Sequence, residues 1–272
     1  MKDPHEKGTV MKLTREEFQK YIYAYNEDEI FYKTLYLQEK EHPETFHEYC
    51  LTLDRELIYE HRLFVPELQA EAWYPYMKEA DLFHDMNGNI VLSKHYRYTP
   101  VFSHEHEFFE ILCVYDGTAH TTIQGIEHTL HTGDICIIPP HTTHSVGIFD
   151  DSVAFNILVR GSTFQSTFFQ SLTADSALAQ FFAHVLYRKT EGNYLIFHSG
   201  NDPQIHDMLE NLYIEYLGHA KYSYTFLNSM LIMFWAMLLR YHENDIESIL
   251  TKDSTGNSVT EILGYLNRHY QS

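Results

Sequence analysis

The pattern of hydrophobic and polar positions divides the 272-residue chain into a helical beginning, a β-rich middle and a helical end. Near the start, Thr14 and Glu17 form a capping-box pair, and apolar residues follow at helical spacing. Residues 40–80 show no single period, and prolines interrupt any long element there. We therefore expect residues 1–86 to form a helical and mixed extension that packs on the main domain, and no function is assigned to it.

From Asn87-Gly88, a strong turn signal, the chain becomes a series of short β-type runs separated by turns. The runs are NIVLSKHYRY, FFEILCVY, AHTTIQ, DICIIP, SVGIF and VAFNILVR. Closely spaced strands with no helix between them favour an antiparallel sandwich or barrel. The sequence thus predicts a mainly β domain with flanking helices, its barrel spanning residues 87–162.

After these strands the pattern becomes helical. Asp202 and Pro203 are typical of a helix start, and we expect this helix to end at Gly218. A second helix, predicted over about 222–243, is apolar nearly all round, so it must be buried on more than one side. A subunit interface would bury the second face; burial wholly within the monomer is the alternative. Residues 163–247 are therefore predicted to form a helical dimerisation region.

The last part of the chain, residues 248–272, is predicted to hold a linker and one further helix. Residues 245–257 have linker-like composition, and Ser258 with Glu261 forms another capping box. The helix that follows is amphipathic and runs almost to the final residue. Its exposed apolar face suggests that the element it packs against lies outside this sequence.

Charge and cysteine content limit the function classes. With 38 acidic against 19 basic residues, the net charge is −19, which makes this chain a poor candidate for touching DNA itself. Three scattered cysteines without C-x-x-C spacing give neither a disulfide framework nor a thiolate zinc site. The N-terminus lacks the apolar region of a signal peptide, and no apolar run approaches the roughly 20 residues of a membrane span. We expect a cytoplasmic protein without a membrane partner.

The stretches that carry candidate chemistry are SHEHEFFEILCVYDG and GDICIIPPHTTHSVGIF. On a strand, residues two apart share a face, so His104 and His106 point the same way, and Glu110 keeps that parity. The second stretch contributes His144. If the two strands are neighbours, three imidazoles and one carboxylate converge inside the barrel.

Both stretches resemble the two sequence motifs of the cupin superfamily. The first fits H-x-H, three residues, E, six residues and G; the second departs from the pattern in having His141 where Gly is usual and Ile148 where many cupins carry Asn. The resemblance implies a double-stranded β-helix, or jelly-roll, barrel. It also implies a metal site that could hold Zn, Mn, Fe or Ni, with His104, His106, Glu110 and His144 as its ligands. The alternative is that these positions hydrogen-bond an effector directly, as in sensor cupins.

A pocket of this kind needs polar groups among rings. Tyr98 and Phe102 flank the H-x-H motif, and Arg160 could bind a carboxylate or hydroxyl groups. A small polar effector such as a sugar would suit this lining, and no catalytic residue is predicted. The predicted effector-binding residues are Tyr98, Phe102, His104, His106, Glu110, His144 and Arg160. The other histidines of the β-rich part, His120, His128, His131 and His141, are expected to be surface or strand residues.

The end of the barrel (VAFNILVRGSTF), the helical pair and the phrase SVTEILGYLNRHYQS together resemble the AraC/XylS type of transcription regulator over nearly the whole chain. The resemblance implies the effector-binding and dimerising part of such a regulator, not an enzyme, cut off before its helix-turn-helix domain. Operator DNA would then be bound only through that missing domain. Two alternatives stay open: a metal-dependent cupin enzyme such as a dioxygenase or isomerase, and a plain dimerisation or storage module.

Overall fold

The computed structural model describes residues 13–69, 76–83, 88–164 and 194–248. Its helices are α1 (Arg15–Tyr23), α2 (Glu27–Glu41), α3 (Phe46–Leu51), α4 (Arg55–Glu60), α5 (Pro66–Gln69), α6 (Glu79–Leu82), α7 (Gly161–Thr163), α8 (Pro203–Gly218) and α9 (Ser223–His242). Its strands are β1 (Tyr76–Met77), β2 (Ile90–Lys94), β3 (Glu105–His106), β4 (Phe109–Asp116), β5 (Thr118–Ile123), β6 (Ile126–His131), β7 (Asp134–Ile138), β8 (His144–Gly147), β9 (Val153–Val159), β10 (Leu195–His198) and β11 (Ile246–Ser248). A 3₁₀ turn, Glu243–Asp245, joins α9 to β11.

Two antiparallel sheets form the β domain. One has six strands in the order β11-β10-β7-β4-β9-β2, and the other has three in the order β6-β5-β8. The β5–β6 hairpin turns at Gln124 and Gly125, which both have positive φ, as a tight two-residue turn requires. A separate parallel pair joins β1 to β3. This agrees with the predicted β domain flanked by helices.

Alternate side chains of β4 point into two different hydrophobic cores. Leu112 and Val114 face the interior between the sheets, where residues such as Ile123 of the smaller sheet also lie. Ile111 and Cys113 face the other way, into a larger core under the helices. Side chains that point into this interior, from either sheet, can therefore contribute to a site inside the barrel.

Helices α1, α8 and α9 cover the outer face of the six-stranded sheet. Phe18 of α1 and Leu212 of α8 are fully buried in this layer. The Thr14–Glu17 capping box at the start of α1 is confirmed. Helix α8 begins at Pro203, with Asp202 as its N-cap, as predicted. It ends at Gly218, also as predicted, and His219 takes the left-handed conformation that stops it.

Helices α2 to α5 form a smaller core of their own, which includes Tyr98 from the barrel side. A buried charge cluster ties α2 to the barrel: Glu29 accepts hydrogen bonds from Arg97 Nε at 2.8 Å and from Lys94 Nζ at 2.6 Å. All three side chains are less than a tenth exposed. This cluster packs α2 on the barrel.

The sequence prediction missed several strands, including β1 and β10. The segment IEHTLH, which was also missed, forms β6, and residues 246–248, expected in the linker, form β11. The predicted strand over NIVLSKHYRY ends early, at Lys94. Ser258 and Glu261 lie outside the described residues. Among the residues that the structure describes, no helix combines the length and apolar character needed to cross a membrane.

Candidate functional site

The two motif stretches meet at one end of the barrel. His104 and His144 face each other in an antiparallel bridge, in which each backbone N–H donates to the other's carbonyl at 2.9 and 3.0 Å. The chain bends after β3, so His106 and Glu110 stand on separate strands instead of the single strand that the parity argument assumed. Glu110 nevertheless faces the histidines, because it begins the interior-facing row of β4.

Glu110 is the centre of this group. Its Oε2 lies 3.3 Å from His106 Nε2 and 3.5 Å from His144 Nε2. The rings of His104 and His144 are 4.2 Å apart between centroids. His106, Glu110 and His144 are buried, and His104 is half-buried. The predicted convergence of three imidazoles and one carboxylate is therefore what the structure shows.

Backbone carbonyls orient two of the rings. His144 Nδ1 lies 2.9 Å from the carbonyl oxygen of Thr142, and His104 Nδ1 lies 3.3 Å from that of Phe102. A ring held through Nδ1 keeps Nε2 free for the centre of the site. His144 Nε2 is inaccessible to solvent and has no hydrogen-bond partner within the described part of the chain.

The electrostatics of the site favour one internal ion pair. Burial alone would raise the pKa of Glu110, but contact with His106 and His144 outweighs it and holds that pKa well below its ordinary range. The same contact raises the pKa of His144 against the opposing effect of burial. Burial, with the neighbouring His144, lowers the pKa of His104 to about 4. These shifts favour the charged forms of Glu110 and His144 and the neutral form of His104.

Aromatic rings border the group on two sides. Phe102 lies 4.8 Å from the ring of His104 and 5.1 Å from that of Phe64, which comes from the N-terminal extension. Phe108 stacks on His106 at 4.4 Å. These rings give the polar cluster an apolar border, so its charges act in a medium of low dielectric constant.

Two predicted site residues are not brought to this cluster. Tyr98 has a positive φ of 63° and packs in the core of the N-terminal helices, with its ring near that of Tyr36. Arg160 donates to the carbonyl oxygens of Phe83 and Gly88 at 2.8 and 3.1 Å. Both side chains are thus directed by partners that are distant in sequence. The other five, Phe102, His104, His106, Glu110 and His144, lie together.

Two interior residues were missed by the sequence prediction. His95 and Asn156 each place a polar atom, Nε2 and Oδ1 respectively, out of reach of solvent and of any hydrogen-bond partner among the described residues. The charges of Glu110 and His144 act on His95, whose pKa is lowered chiefly by burial. Strand parity could have identified His95, because it continues the interior row of Val91 and Ser93.

His141 stands where the cupin motif usually has Gly, and its backbone shows why. Its φ is 60°, in the left-handed region that favours Gly. Its N–H donates to the carbonyl oxygen of His106 at 2.9 Å, and its ring stacks on Tyr76. The position therefore shapes the loop beside the site, and the exposed side chain fits the expected surface role.

The donor set fits a divalent metal ion. One ligand atom from each of His104, Glu110 and His144 can be chosen so that all lie within 4.8 Å of one another. His106 Nε2 adjoins them, and neither it nor His144 Nε2 has a hydrogen-bond partner among the described residues. Three nitrogens and one oxygen, two of the rings oriented through their far nitrogens, are typical ligands for Zn, Mn, Fe or Ni. Such an ion would act as a Lewis acid toward a bound oxygen atom.

A jelly-roll barrel with an internal His/Glu site defines the class as a cupin. The family model described as "AraC-like ligand binding domain" matches residues 88–231, from just before β2 into α9. Since this is more than half of the chain, the protein belongs to the family of AraC-like ligand-binding domains. The mainly β fold of cupin type and the family resemblance of its barrel are thereby confirmed.

No curated protein matches the chain significantly. Among solved structures, it is similar to KdgF from Halomonas sp. at 23% identity, over 26% of this chain and 69% of the other, with a TM-score of 0.24. It is also similar to a cupin protein from Bacteroides fragilis, at 24% identity, over 27% of this chain and 68% of the other, with a TM-score of 0.23. A third, the plu4264 protein from Photorhabdus luminescens, has 20% identity over 28% of this chain and 68% of the other, with a TM-score of 0.25.

Proposed function

We propose that this chain is the effector-sensing and dimerisation portion of a bacterial AraC-family DNA-binding transcription regulator, and that it binds a small polar molecule, such as a sugar, in the cupin barrel. The observation that carries the proposal is a set of inward-facing polar atoms in a barrel of this ligand-binding family. Among the described residues, His95 Nε2 and Asn156 Oδ1 have no hydrogen-bond partner, and His144 Nε2 faces Glu110 Oε2 at the long distance of 3.5 Å. Buried polar atoms are rarely left unbonded, and a bound effector would satisfy them.

The test of effector binding is a thermal-shift screen of small polar compounds, including neutral monosaccharides and their acids. We expect at least one compound to raise the melting temperature of the wild-type chain. Glu110→Gln should abolish that shift, because the carboxylate orients His106 and His144. His120→Gln, at an exposed position of β5, is the matched control and should preserve it. A screen in which no compound distinguishes wild type from Glu110→Gln contradicts the proposal.

The metal is a separate question within the same site. We propose that His104, His106, Glu110 and His144 can hold a divalent ion, with the effector bound beside it or in its place. Elemental analysis after purification without chelators tests this. An empty site supports direct effector binding, whereas stoichiometric Fe or Mn favours the alternative function, a metal-dependent cupin enzyme such as a dioxygenase or isomerase.

Dimerisation is proposed to use α9. One face of this helix is buried, with Leu231 and Phe234 inaccessible to solvent. Phe226 and Met233, seven residues apart on another face, are 58% and 54% exposed, and Tyr241 continues the stripe. Large exposed apolar side chains in such a row are typical of an interaction surface. The proposed occupant is the same face of a second copy, because cyclic two-fold pairing is the commonest assembly of soluble homo-oligomers.

Operator contacts are proposed to lie in a helix-turn-helix domain and not in the barrel, which would place the protein in the cytoplasm. With a net charge of −19, this chain repels phosphates. We expect the purified chain to give no specific operator shift in a gel-shift assay. A specific shift by this chain alone would show that the barrel or its helices contact DNA directly.

A further inference from the structure

A second polar cluster lies at the far end of the barrel, away from Glu110. In the β4–β7 register, Glu110 is opposite Ile138, whereas the cluster begins at Asp134, four residues along β7. At about 3.3 Å per residue, the two sites are roughly 13 Å apart along the strand. The motif histidines take no part in it. Its members come from β6, β7, β10 and β11.

The centre of this cluster is His198, because both of its ring nitrogens face carboxylates. Nδ1 lies 2.9 Å from Asp134 Oδ1, and Nε2 lies 3.4 Å from Glu247 Oε2. A neutral imidazole has only one N–H, so it can donate to one of these carboxylates and must present a lone pair to the other. Only the imidazolium form donates to both. The geometry therefore matches a charged His198 bridging two anions.

The strand that this bridge contacts is short. β11 spans three residues, pairs with β10 at the edge of the six-stranded sheet and packs Ile246 against the core under the helices. A strand so short gains few backbone hydrogen bonds, so its side-chain contacts decide whether it stays docked. Glu247 supplies these contacts on the side that faces His198.

A second histidine repeats the arrangement on the turn that precedes β11. His242, at the end of α9, places Nε2 2.9 Å from Asp202 Oδ2 and Nδ1 3.4 Å from Asp245 Oδ2. Asp202 is the N-cap of α8, and Asp245 lies in the 3₁₀ turn. Two histidines, each between two carboxylates, thus connect residues 243–248 to the rest of the molecule.

We propose that residues 243–248 are docked by a proton-dependent latch, in which protonated His198 bridges Asp134 and Glu247, and that loss of this proton releases β11. The inference concerns no ligand of the barrel and does not depend on the proposed function. It adds a response to pH.

The neighbouring charges support this direction of response. Burial lowers the pKa of His198, but the contacts with Asp134 and Glu247 outweigh it and raise that pKa above its ordinary value of 6.5. The stabilisation is therefore complete below pH 6.5 and is lost as pH rises through the folded-state pKa. His131 Nδ1 lies 3.9 Å from Asp134, and His128 Nδ1 lies 4.0 Å from Glu247.

The remaining groups around the latch have partners of their own. His128 Nε2 is 2.6 Å from the hydroxyl oxygen of Tyr194, which holds that ring in place. The backbone N–H of His131 donates to Asp134 Oδ2 at 2.8 Å. Glu243 and Asp245 add acidic charge in the 3₁₀ turn next to β11.

Hydrogen–deuterium exchange of the full chain at pH 6.0 and pH 8.5, in EDTA and corrected for intrinsic rates, tests the latch. We expect the protection of residues 243–248 to be lower at pH 8.5 than at pH 6.0, because the bridge is lost when His198 loses its proton. A peptide from β4 reports global folding and should not change. Equal protection of residues 243–248 at both pH values overturns the proposal.

Variants of the bridging residues distinguish release of the latch from a general loss of stability. Glu247→Gln keeps the shape of the side chain but removes its charge, so protection should already be low at pH 6.0, as in wild type at pH 8.5, and should no longer depend on pH. His198→Gln removes the other partner of this contact and should likewise give low protection of residues 243–248 that does not depend on pH. Glu127→Gln, at an exposed position of β6, is the matched control and should behave like wild type. Full pH dependence in both Glu247→Gln and His198→Gln overturns the proposal.

Discussion

The buried charge cluster between α2 and the barrel gives the sharpest test of how the N-terminal helices are held. Glu29 is fully buried, and its carboxylate accepts from Arg97 Nε at 2.8 Å, Arg97 Nη2 at 3.0 Å and Lys94 Nζ at 2.6 Å. Arg97 also lies over the ring of Tyr25, 3.6 Å from its centroid. Glu29→Gln would leave two buried cations without their shared counter-charge.

The expected cost follows from this geometry. Removing one partner of a buried ion pair costs about 3–5 kcal/mol, because the remaining charge stays desolvated and unpaired. Glutamine keeps the volume of the side chain, and it can still complete the capping box with Asn26, so the loss of charge is isolated. For a chain of this size, the melting temperature should fall by roughly 10 °C.

Urea unfolding followed by circular dichroism measures this loss. Glu41→Gln, at an exposed position near the end of α2, is the control and should change the free energy of unfolding by less than about 0.5 kcal/mol. Burial raises the pKa of Glu29, but contacts with Arg97 and Lys94 outweigh it and lower it. The wild-type advantage should therefore be present above pH 4.5 and disappear as pH falls through the lowered pKa. A loss below about 1 kcal/mol for Glu29→Gln would refute the reasoning.

Two further predictions concern a turn and the proposed dimer. A Cβ at Gly133, where φ is 87°, would stand 1.6 Å from the carbonyl oxygen of Gly200, so Gly133→Ala should lower stability by more than about 2 kcal/mol in thermal unfolding. Gly125→Ala, at a φ of 79° with no atom within 4 Å, should cost only about 1 kcal/mol; equal losses would contradict the clash. Met233→Glu should convert the proposed dimer to monomer in light scattering coupled to gel filtration, because the charge would be buried in the interface. A wild-type chain that is already monomeric would contradict the α9 interface.

The cluster of His104, His106, Glu110 and His144 could be predicted from the sequence, because strand parity and motif spacing place these side chains on the inward face of the strands. His104 and His106 share that face by alternation, and the antiparallel bridge between His104 and His144 brings His144 opposite them. The prediction holds despite the bend after β3, because Glu110, the second residue of β4, points inward as well. Local rules and the fold therefore agree at the core of the site.

The directions of Tyr98 and Arg160 could not be predicted in this way. Each is set by residues far away in the chain: Tyr98 by the helical core that contains Tyr36, and Arg160 by carbonyl groups such as that of Phe83. The period of the sequence predicts which face of a strand a side chain lies on. It does not predict which distant residue a long side chain contacts once the strand has ended.

The absence of β6 and β11 from the sequence prediction also has a physical cause. In β6 only Leu130 is buried, so its sequence carries almost no alternation of apolar and polar residues. β11 is three residues long, and contacts of Glu247 with His198 and His128 hold it on the barrel. Neither strand has a local pattern that could reveal it, because tertiary contacts determine both.

The central claim is that the barrel of this AraC-like domain senses a small molecule and does not transform it. Equilibrium dialysis of the chain against the compound that emerges from the thermal-shift screen, followed by mass spectrometry of the recovered compound, tests this directly. The account predicts stoichiometric binding, loss of binding in Glu110→Gln, and a compound recovered unchanged. Conversion of the compound by wild type but not by Glu110→Gln, or binding that survives Glu110→Gln, would contradict it.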